Sequence, residues 1–426
     1  MSPTTASAAT SLAAEEPSAA LPSSTHPSPT LPSADSLAKD TGSGRPPSSP
    51  ADRDIKRRRV LDILDAKGRD SLLLTTHTAL TWYLDGSRVH VSLAGDPIAA
   101  VLVDRDGDHL VTFNNEAGRM AAEEVPAGVS VHPVPWYGNL HDAAAAVGIS
   151  SNNALSNGTS SNGTSFNGTA APASSSNSGP LAEAEIAGEL RAARQQLLPG
   201  ESARYARLSA ELAGIMTDVL STARPDTTEF ELVSALAGHV VAAGAEPLVL
   251  LCNGNSRSTF RHPLATHSPL GRRAMAVVCA RRDGLVANIT RWVRFDAGTP
   301  EELDAETRIA AVEADIFDAT VPGARLDRVF AEIKAAYARH GFGADQWEHH
   351  HQGGPAGYAG RDPRVTAAAT DTVVLNQPFT WNPSGPGVKI EDTVQLTESG
   401  ITVLTVDGRW PATTVNGLKR PQTLQL

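Results

Sequence analysis

Two stretches of low complexity divide this chain of 426 residues and limit where a folded core can form. Residues 1–53 consist mainly of Ala, Ser, Pro and Thr, and residues 150–180 repeat Ser-Asn-Gly-Thr-Ser. Such compositions cannot bury enough apolar surface to offset the loss of chain entropy. The first stretch is therefore predicted to be a disordered tail, and the second a low-complexity insertion or linker. Two folded domains are predicted from the remainder, over 54–149 and 181–426.

The charge and composition narrow the possible partners and compartment. The formal net charge is −11, whereas binding to nucleic acid needs a clustered basic face, so no nucleic-acid partner is expected. The two cysteines, Cys252 and Cys279, lie in apolar strand-like runs, which favours buried free thiols in a reducing compartment over a disulfide. Neither a membrane-spanning apolar run nor a secretory signal is evident. A soluble cytoplasmic protein without a membrane partner is expected.

The segment 54–149 alternates helical and strand-like patterns. A helix is predicted over 55–66, because apolar residues recur there at helical spacing. Apolar runs and flanking turns predict strands 72–76, 98–103 and 109–113 and helices 115–123 and 139–147. The run Asp104-Arg105-Asp106-Gly107 predicts a hairpin turn between the last two strands. This order indicates a small α/β domain.

The segment 181–426 begins with long amphipathic helices and continues with alternating strands and helices. Periodicity predicts helices 181–198, 200–223, 229–243, 301–319 and 326–340, and strands 248–252, 275–280, 373–375 and 394–396. The run Thr227-Thr228-Glu229-Phe230-Glu231 predicts a Thr cap for the third helix. This order suits an antiparallel sheet covered by helices on one face. The segment is therefore predicted to be an α+β domain of a catalytic type.

Four short motifs in the second segment carry residue types that are suited to catalysis. In chain order they are Phe260-Arg261-His262-Pro263, Asn288-Ile289-Thr290-Arg291, His349-His350-His351-Gln352-Gly353, and Trp381-Asn382-Pro383 followed by Lys389-Ile390-Glu391-Asp392. Their order resembles the pita-bread superfamily of methionine aminopeptidase, aminopeptidase P, prolidase and creatinase, over roughly residues 55–420. The resemblance implies an α+β fold, with a pita-bread C-terminal domain preceded by a smaller α/β domain of the creatinase type.

The resemblance also indicates what this sequence has lost. In the metal-dependent members, an Asp lies in the strand that corresponds to 275–280, and a second Asp follows eleven residues later. These positions are Val277 and Asn288 here, and the family's Glu-Pro is Asn382-Pro383, whereas the acid at Glu391 is kept. A valine cannot bind a metal, and a neutral amide is a weak ligand where a bridging carboxylate is needed. We therefore predict no dinuclear metal site and no cofactor.

The histidine-rich motif allows two alignments with the family. In the first, His350 corresponds to the ligand histidine, and Tyr358 and Arg361 follow the creatinase pattern. In the second, the ligand position falls on Gly354. We prefer the first because it matches more residues, and it leaves only His350 and Glu391 of five ligands. Arg361 is then expected to hold a substrate carboxylate, since a guanidinium binds carboxylates bidentately, with a surface arginine as the alternative.

The resemblance assigns catalytic roles to His262, His350 and Glu391. His262 is expected to act as general base or proton shuttle, which suits a neutral imidazole near its ordinary pKa, and the other two would orient substrate or water. The residues predicted to bind substrate are Asn288, Arg291, His351, Tyr358, Arg361 and Asn382. Three consecutive histidines also suggest a separate metal site. Because adjacent residues in an extended segment point in alternating directions, we predict that no metal binds there.

Three functions are compatible with these residues. The preferred one is a metal-independent hydrolase or lyase that acts on a C–N or related bond of a small carboxylate- or amide-bearing substrate. Creatine is not expected as the substrate, because the acids with which creatinase binds the guanidinium would fall at Thr290 and Asn382. The alternatives are a catalytically inactive pseudo-peptidase that binds a peptide or protein, and a metal-dependent aminopeptidase. We expect a small-molecule or short peptide substrate and, from the resemblance to creatinase, a homodimer. Arg88 and His90 lie where the N-terminal domain of one chain could reach the partner's pocket, with an exposed strand or turn as the alternative.

Overall fold

The N-terminal region forms one sheet with flanking helices, as seen in a computed structural model that describes residues 49–147 and 179–426. Most of the predicted tail and insertion thus lies outside the described residues. The elements are α1 (Pro50–Lys67), β1 (Ser71–Leu74), α2 (His77–Tyr83), β2 (Ala99–Asp104), β3 (Asp108–Phe113), α3 (Ala117–Arg119, continued by the π-helical turn Met120–Glu124), β4 (Val129–Val134), α4 (140–147) and β5 (Leu181–Ala182). The first helix starts at Pro50, inside the segment predicted as tail, because Ser49 caps it by accepting the amide of Asp52.

The N-terminal sheet has the strand order β4-β3-β2-β1-β5. Strands β1, β2 and β3 pair antiparallel, and the predicted hairpin turn is confirmed, with Asp104 Oδ1 accepting the amides of Asp106 and Gly107 at 2.8 Å each. The predicted helix 181–198 is wrong at its start, where the chain forms β5, parallel to β1. Leu181 is buried against this sheet, so tertiary pairing overrides the helical pattern.

Within the described residues, the C-terminal region contains two four-stranded sheets, two two-stranded sheets and two pairs of long helices. Its elements are α5 (Ala187–Gln195), α6 (Pro199–Leu220), α7 (Glu229–Ala242), β6 (Glu246–Gly254), β7 (Arg273–Arg282), β8 (Leu285–Arg294), α8 (Pro300–Ala319), α9 (Leu326–Arg339), β9 (Gly353–Pro355), β10 (Pro378–Trp381), β11 (Ser384–Gly385), β12 (Val388–Lys389), β13 (Asp392–Thr397), β14 (Gly400–Val403), β15 (Ala412–Val415), β16 (Leu418–Pro421) and β17 (Leu424–Gln425). Helix α7 begins with the predicted Thr cap, at Thr228. None of the helices in the described ranges is long and apolar enough to cross a membrane.

Helix pairs cover two separate sheets rather than the single sheet that the sequence predicts. The first sheet has the order β17-β8-β7-β6 and packs on α6 and α7, and the second has the order β14-β13-β10-β9 and packs on α8 and α9. Strand β8 also pairs with segments next to the second sheet. Val286 forms an isolated backbone bridge with Gly357, and Thr290 forms one with Glu391. The predicted strand 373–375 is wrong, because Val373 pairs through its backbone with Gly323 and Ala324 in the connection between α8 and α9.

The two faces of the first sheet have different roles. Because successive strand residues point to opposite faces, Ala274, Ala276 and Val278 pack towards the helices with the main core. Met275 and Val277 point to the opposite face and form a small apolar cluster with Leu251 and Trp292. In the antiparallel register Val277 pairs with Thr290, and Cys279 pairs with Asn288. The face that bears the predicted site residues is therefore partly apolar.

A buried ionic network joins the N-terminal region to the C-terminal region. Lys56 Nζ lies 2.8 Å from Asp85 Oδ1 and 2.7 Å from Glu201 Oε1, and its side chain is fully buried. Arg204 donates to Asp85 at 2.7 Å, and the Tyr358 hydroxyl donates to Glu201 at 2.7 Å. Each buried charge therefore faces an opposite charge, as buried ions require. The network fixes α1 against the start of α6.

Candidate functional site

Three histidines meet where two loops approach each other, and we call them the histidine cluster: His262, His350 and His351. His262 lies in the connection between β6 and β7, and the other two follow the 3₁₀ helix Gln346–His349 just before β9. The Nε2 atoms of His262 and His350 are 3.1 Å apart. The rings of His350 and His351 stack with their centroids 4.4 Å apart. His350 and His351 thus both face His262, although alternating directions along an extended segment predict that they would not. The first histidine of the triplet, His349, is exposed.

The surroundings of the histidine cluster favour neutral imidazoles. Burial, assisted by the charge of Lys389, lowers the pKa of His350 to about 2. Burial and the charge of Arg361 lower the pKa of His351 to about 4. Burial and Lys389 also lower the pKa of His262, which is the exposed member of the cluster, while Glu391 opposes this effect. Near neutral pH each ring therefore keeps one nitrogen lone pair that is free of a proton.

Glu391 is a buried carboxylate that is held by cations. Its Oε1 accepts from Arg361 Nη2 at 2.8 Å, and its Oε2 lies 2.8 Å from Lys389 Nζ and accepts from the Thr290 hydroxyl at 2.7 Å. Burial by itself would raise the pKa of Glu391, but Lys389 and Arg361 bring it well below its usual range. Both carboxylate oxygens of Glu391 are therefore charged and engaged.

The two amides that replace family acids lie in different hydrogen-bonding environments. Asn288 donates from Nδ2 to Thr380 Oγ1 at 3.2 Å. The backbone amide of Asn382 donates to Gln352 O at 3.2 Å, which places Asn382 beside the segment of the histidine cluster. Buried polar atoms without a hydrogen-bond partner in the described structure include Asn382 Oδ1, Arg361 Nε and the Nδ1 atoms of His350 and His351. Each such atom costs about 1–3 kcal/mol unless something pairs with it, which is typical of a site that binds a ligand.

Two predicted substrate-binding residues lie apart from these groups. Arg291 donates to Asp392 Oδ1 and to Thr405 O, at 2.8 Å each, so it supports the strands beneath the site. Tyr358 belongs to the buried network between the two regions. Of the residues considered for a dimer contact, His90 contacts Glu246 of its own chain at 2.7 Å. The structure thus brings the histidine cluster close to Arg361 and Glu391 and leaves Arg291 and Tyr358 in structural contacts.

Lys389 is the main site residue that sequence reasoning missed. It lies two residues before Glu391, and residues i and i+2 of an extended chain share one face, so this spacing could have identified it. Cys279 is a second neighbour of the site, opposite Asn288. Burial, with the charge of Glu391, raises the pKa of Cys279 to about 12, so it remains a thiol. Both cysteines of the chain are free, as predicted.

The residues present do not fit the dinuclear metal centre of the metal-dependent relatives. Val277, at the position of the first metal-binding Asp, packs in an apolar cluster with Leu251, Met275 and Trp292. Both carboxylate oxygens of Glu391 are already engaged, one by Arg361 and the other by Lys389 and Thr290. A divalent ion there would have to displace two cations and bind an amide in place of a carboxylate, contrary to the preferences of such ions.

Acid titration should report the ionisation of Glu391. Its pKa in the folded protein lies below that of the unfolded chain, roughly 4.3, so its contribution to stability is present above that pH and is lost as the pH falls further. Glu391→Gln should therefore make stability less steep in acid, by up to about 1.4 kcal/mol per pH unit. Urea unfolding of both proteins at a series of pH values measures this, and parallel pH profiles would contradict it.

Comparisons with known proteins agree with this architecture. Residues 204–398 match metallopeptidase family M24. Among solved structures, the chain is similar to an Xaa-Pro dipeptidase from Bacillus anthracis, with a TM-score of 0.64, 15% identity and coverage of 88% of this chain and 100% of that one. It is also similar to dipeptidase PepE from Mycobacterium ulcerans, with a TM-score of 0.66, 16% identity and coverage of 89% and 100%.

A third similar structure is the N-terminal domain of FACT complex subunit SPT16 from Cicer arietinum, with a TM-score of 0.58, 13% identity and coverage of 83% of this chain and 95% of that one. No curated protein matches the sequence. At such identities the solved structures establish the fold, and the family match extends over most of the two-sheet region. The chain therefore has a two-domain pita-bread fold, and residues 204–398 match metallopeptidase family M24.

Proposed function

We propose that the chain is a hydrolase or lyase that works without the dinuclear metal centre of its relatives. Its substrate would be a small carboxylate- or amide-bearing molecule in which it cleaves a C–N or related bond. The observation that carries this proposal is the state of Glu391, whose two oxygens are engaged by Lys389, Arg361 and Thr290. Cations of the protein occupy the electrostatic role that a metal has in the relatives.

The remaining polar groups are suited to binding an organic substrate directly. Asn382 Oδ1 is buried and available to accept a hydrogen bond from a substrate N–H. Arg361 keeps a free Nε donor besides its bond to Glu391, and this donor suits an anionic group. The dipeptidases with a similar fold, by their names, act on peptides, which is consistent with a C–N bond as the target.

His262 would provide the proton transfer. It is the exposed member of the histidine cluster, so a substrate or water can reach it, and it contacts His350 Nε2 at 3.1 Å. A neutral imidazole can take a proton from an attacking water and return it to the leaving nitrogen. His350, which is buried, would keep the ring of His262 in place, and Glu391 with its two cations would orient the other end of the substrate.

The test is turnover in metal-free protein. The purified chain is dialysed against a chelator, its metal content is measured, and it is incubated with a panel of dipeptides with proline second, N-acyl amino acids and small amides. We expect turnover to persist with substoichiometric metal, and contaminating metallopeptidases are silenced by the same treatment. Loss of all turnover on chelation, with recovery on adding manganese, cobalt or zinc, would favour the metal-dependent aminopeptidase instead.

A second candidate function is a catalytically inactive protein that binds a peptide or protein partner. Its supporting observation is the similarity to a domain of a FACT complex subunit, together with the loss of the acids at Val277, Asn288 and Asn382. This function predicts no turnover across the panel and a peptide affinity that His262→Ala leaves unchanged. Isothermal titration with the best-bound peptide of the panel distinguishes the two candidates.

Homodimer formation stays a prediction that rests on the creatinase-like relatives. Arg88 pairs with Glu124, and His90 contacts Glu246, so both residues have partners within their own chain. We propose that any dimer forms without using the His90 ring, which is buried. Light scattering at micromolar concentration measures the mass, and a monomer would remove the dimer from the proposal.

A further inference from the structure

We propose that His262, His350 and His351 bind one divalent transition ion of the zinc type, in an exchangeable site. Imidazole is the commonest protein ligand for such ions. His262 and His351 do not correspond to any metal ligand of the family, so the ligand set is new even where His350 is aligned with one. The site would be open to solvent on the side of His262, which is exposed.

The distances suit this ligand set. Two nitrogens bound to one tetrahedral zinc ion, each about 2.0–2.1 Å from it, lie roughly 3.3 Å apart. The Nε2 atoms of His262 and His350 are already 3.1 Å apart. One ring nitrogen of each of the three histidines lies within 4.8 Å of those of the other two. Rotation of the exposed His262 side chain, with small movements of the other rings, would close the remaining gap.

A hydrogen bond between His262 and His350 accounts for only part of the cluster. It satisfies the two Nε2 atoms, but the Nδ1 atoms of His350 and His351 are buried and have no hydrogen-bond partner in the described residues. His350 is 8% exposed, so water does not readily compensate. Each neutral ring nevertheless offers one lone pair that a transition ion can accept, and the Nε2 atoms of His262 and His350 are the two ligand atoms that already lie close together.

The nearby charges indicate that the ion would be exchangeable. Lys389, Arg361 and Arg364 act on the cluster as cations, and Glu391 is the carboxylate that opposes them. A dication meets repulsion in such surroundings, so its affinity should be lower than in a closed structural site. Three protein ligands also leave the fourth tetrahedral position open for water or an anion. The cations would favour an anion there.

Occupancy would have a functional consequence that rests on the proposed function. An ion bound to His262 would occupy the nitrogen lone pair that the proposed function uses for proton transfer. An ion at the cluster would therefore inhibit turnover, and a chelator would raise the activity of protein that retains bound zinc. The site would thus make turnover sensitive to inhibition by zinc.

The test measures binding without any substrate. The full chain, made without a histidine tag and stripped of metal, is titrated with Co²⁺ for its visible absorption and with Zn²⁺ against a chromophoric chelator. We expect one ion per chain. Replacing any one ligand should weaken binding about tenfold or more, in the variants His262→Gln, His350→Gln and His351→Gln, since losing even an outer-shell partner of a metal ligand costs about 10–100-fold in affinity. The affinity of His349→Gln should stay within about twofold of the wild type.

The controls keep the outcome interpretable. His349 is the adjacent, exposed histidine, so its variant matches the others in chemistry and chain position. His262 is exposed, so its variant should fold even if a buried replacement does not. Equal affinity of all four variants, or no stoichiometric binding by the wild type, overturns the proposal. Zinc that binds and raises turnover overturns the inhibitory part, whereas absent turnover of metal-free protein counts against the proposed function alone.

Discussion

His262→Ala is expected to lower kcat/KM by about 10²- to 10⁴-fold, because that is the usual contribution of a positioned general acid or base. The effect should appear mainly in kcat, since His262 contacts His350 rather than the cations that would hold the substrate anion. Steady-state kinetics of metal-free protein with the best substrate of the panel measures both constants. Because His262 is exposed, the loss should occur without a change in unfolding midpoint.

The matched control for this variant is His349→Ala. His349 directly precedes the cluster members His350 and His351 in sequence, but it is exposed. Its replacement should leave kcat and KM unchanged. A His262→Ala protein that retains wild-type turnover would remove the assigned role, and an equal loss in both variants would indicate a disturbed loop rather than lost proton transfer.

Lys56→Met is expected to destabilise the fold by about 3–5 kcal/mol, because removing one partner of a buried ionic network leaves uncompensated charge in the interior. The Lys56 ammonium lies between Asp85 and Glu201 at 2.8 and 2.7 Å, and all three side chains are at most 1% exposed. Methionine matches the length of the stem without its charge. Urea unfolding at neutral pH measures the loss.

The control for the buried network is Lys67→Met at the end of the same helix. Lys67 pairs with Glu189, but 38% and 44% of these two side chains are exposed, so solvent screens the pair. We expect its removal to leave the unfolding midpoint nearly unchanged. If both lysine variants unfold alike, the network between the two regions contributes little to stability.

The protein itself supplies the counter-charge that the buried carboxylate of Glu391 requires. A buried carboxylate without a counter-charge would be strongly destabilising. Lys389 and Arg361 supply that counter-charge here, at 2.8 Å each, and Thr290 satisfies a further lone pair. The strands that carry these residues therefore remain packed even though Val277 and Asn288 supply no carboxylate.

Much of the fold could be predicted from local pattern. Helices α6 to α9 follow apolar spacing, and their bounds agree with prediction to within a few residues, since such helices depend on one periodic face. Short segments are harder to predict from the sequence. Residues 181–182 look helical but pair with β1, and 373–375 look like a strand but pair with a loop, because long-range contacts decide short elements.

The sequence by itself determined the fold class, the order of helices and strands, and the absence of acids at Val277, Asn288 and Asn382, because these depend on residue identity and spacing. Only the tertiary structure decided that Lys389 and Arg361 converge on Glu391 and that His262 meets His350 and His351. These residues come from separate loops and strands. Their distances depend on how two sheets pack, which no local pattern specifies.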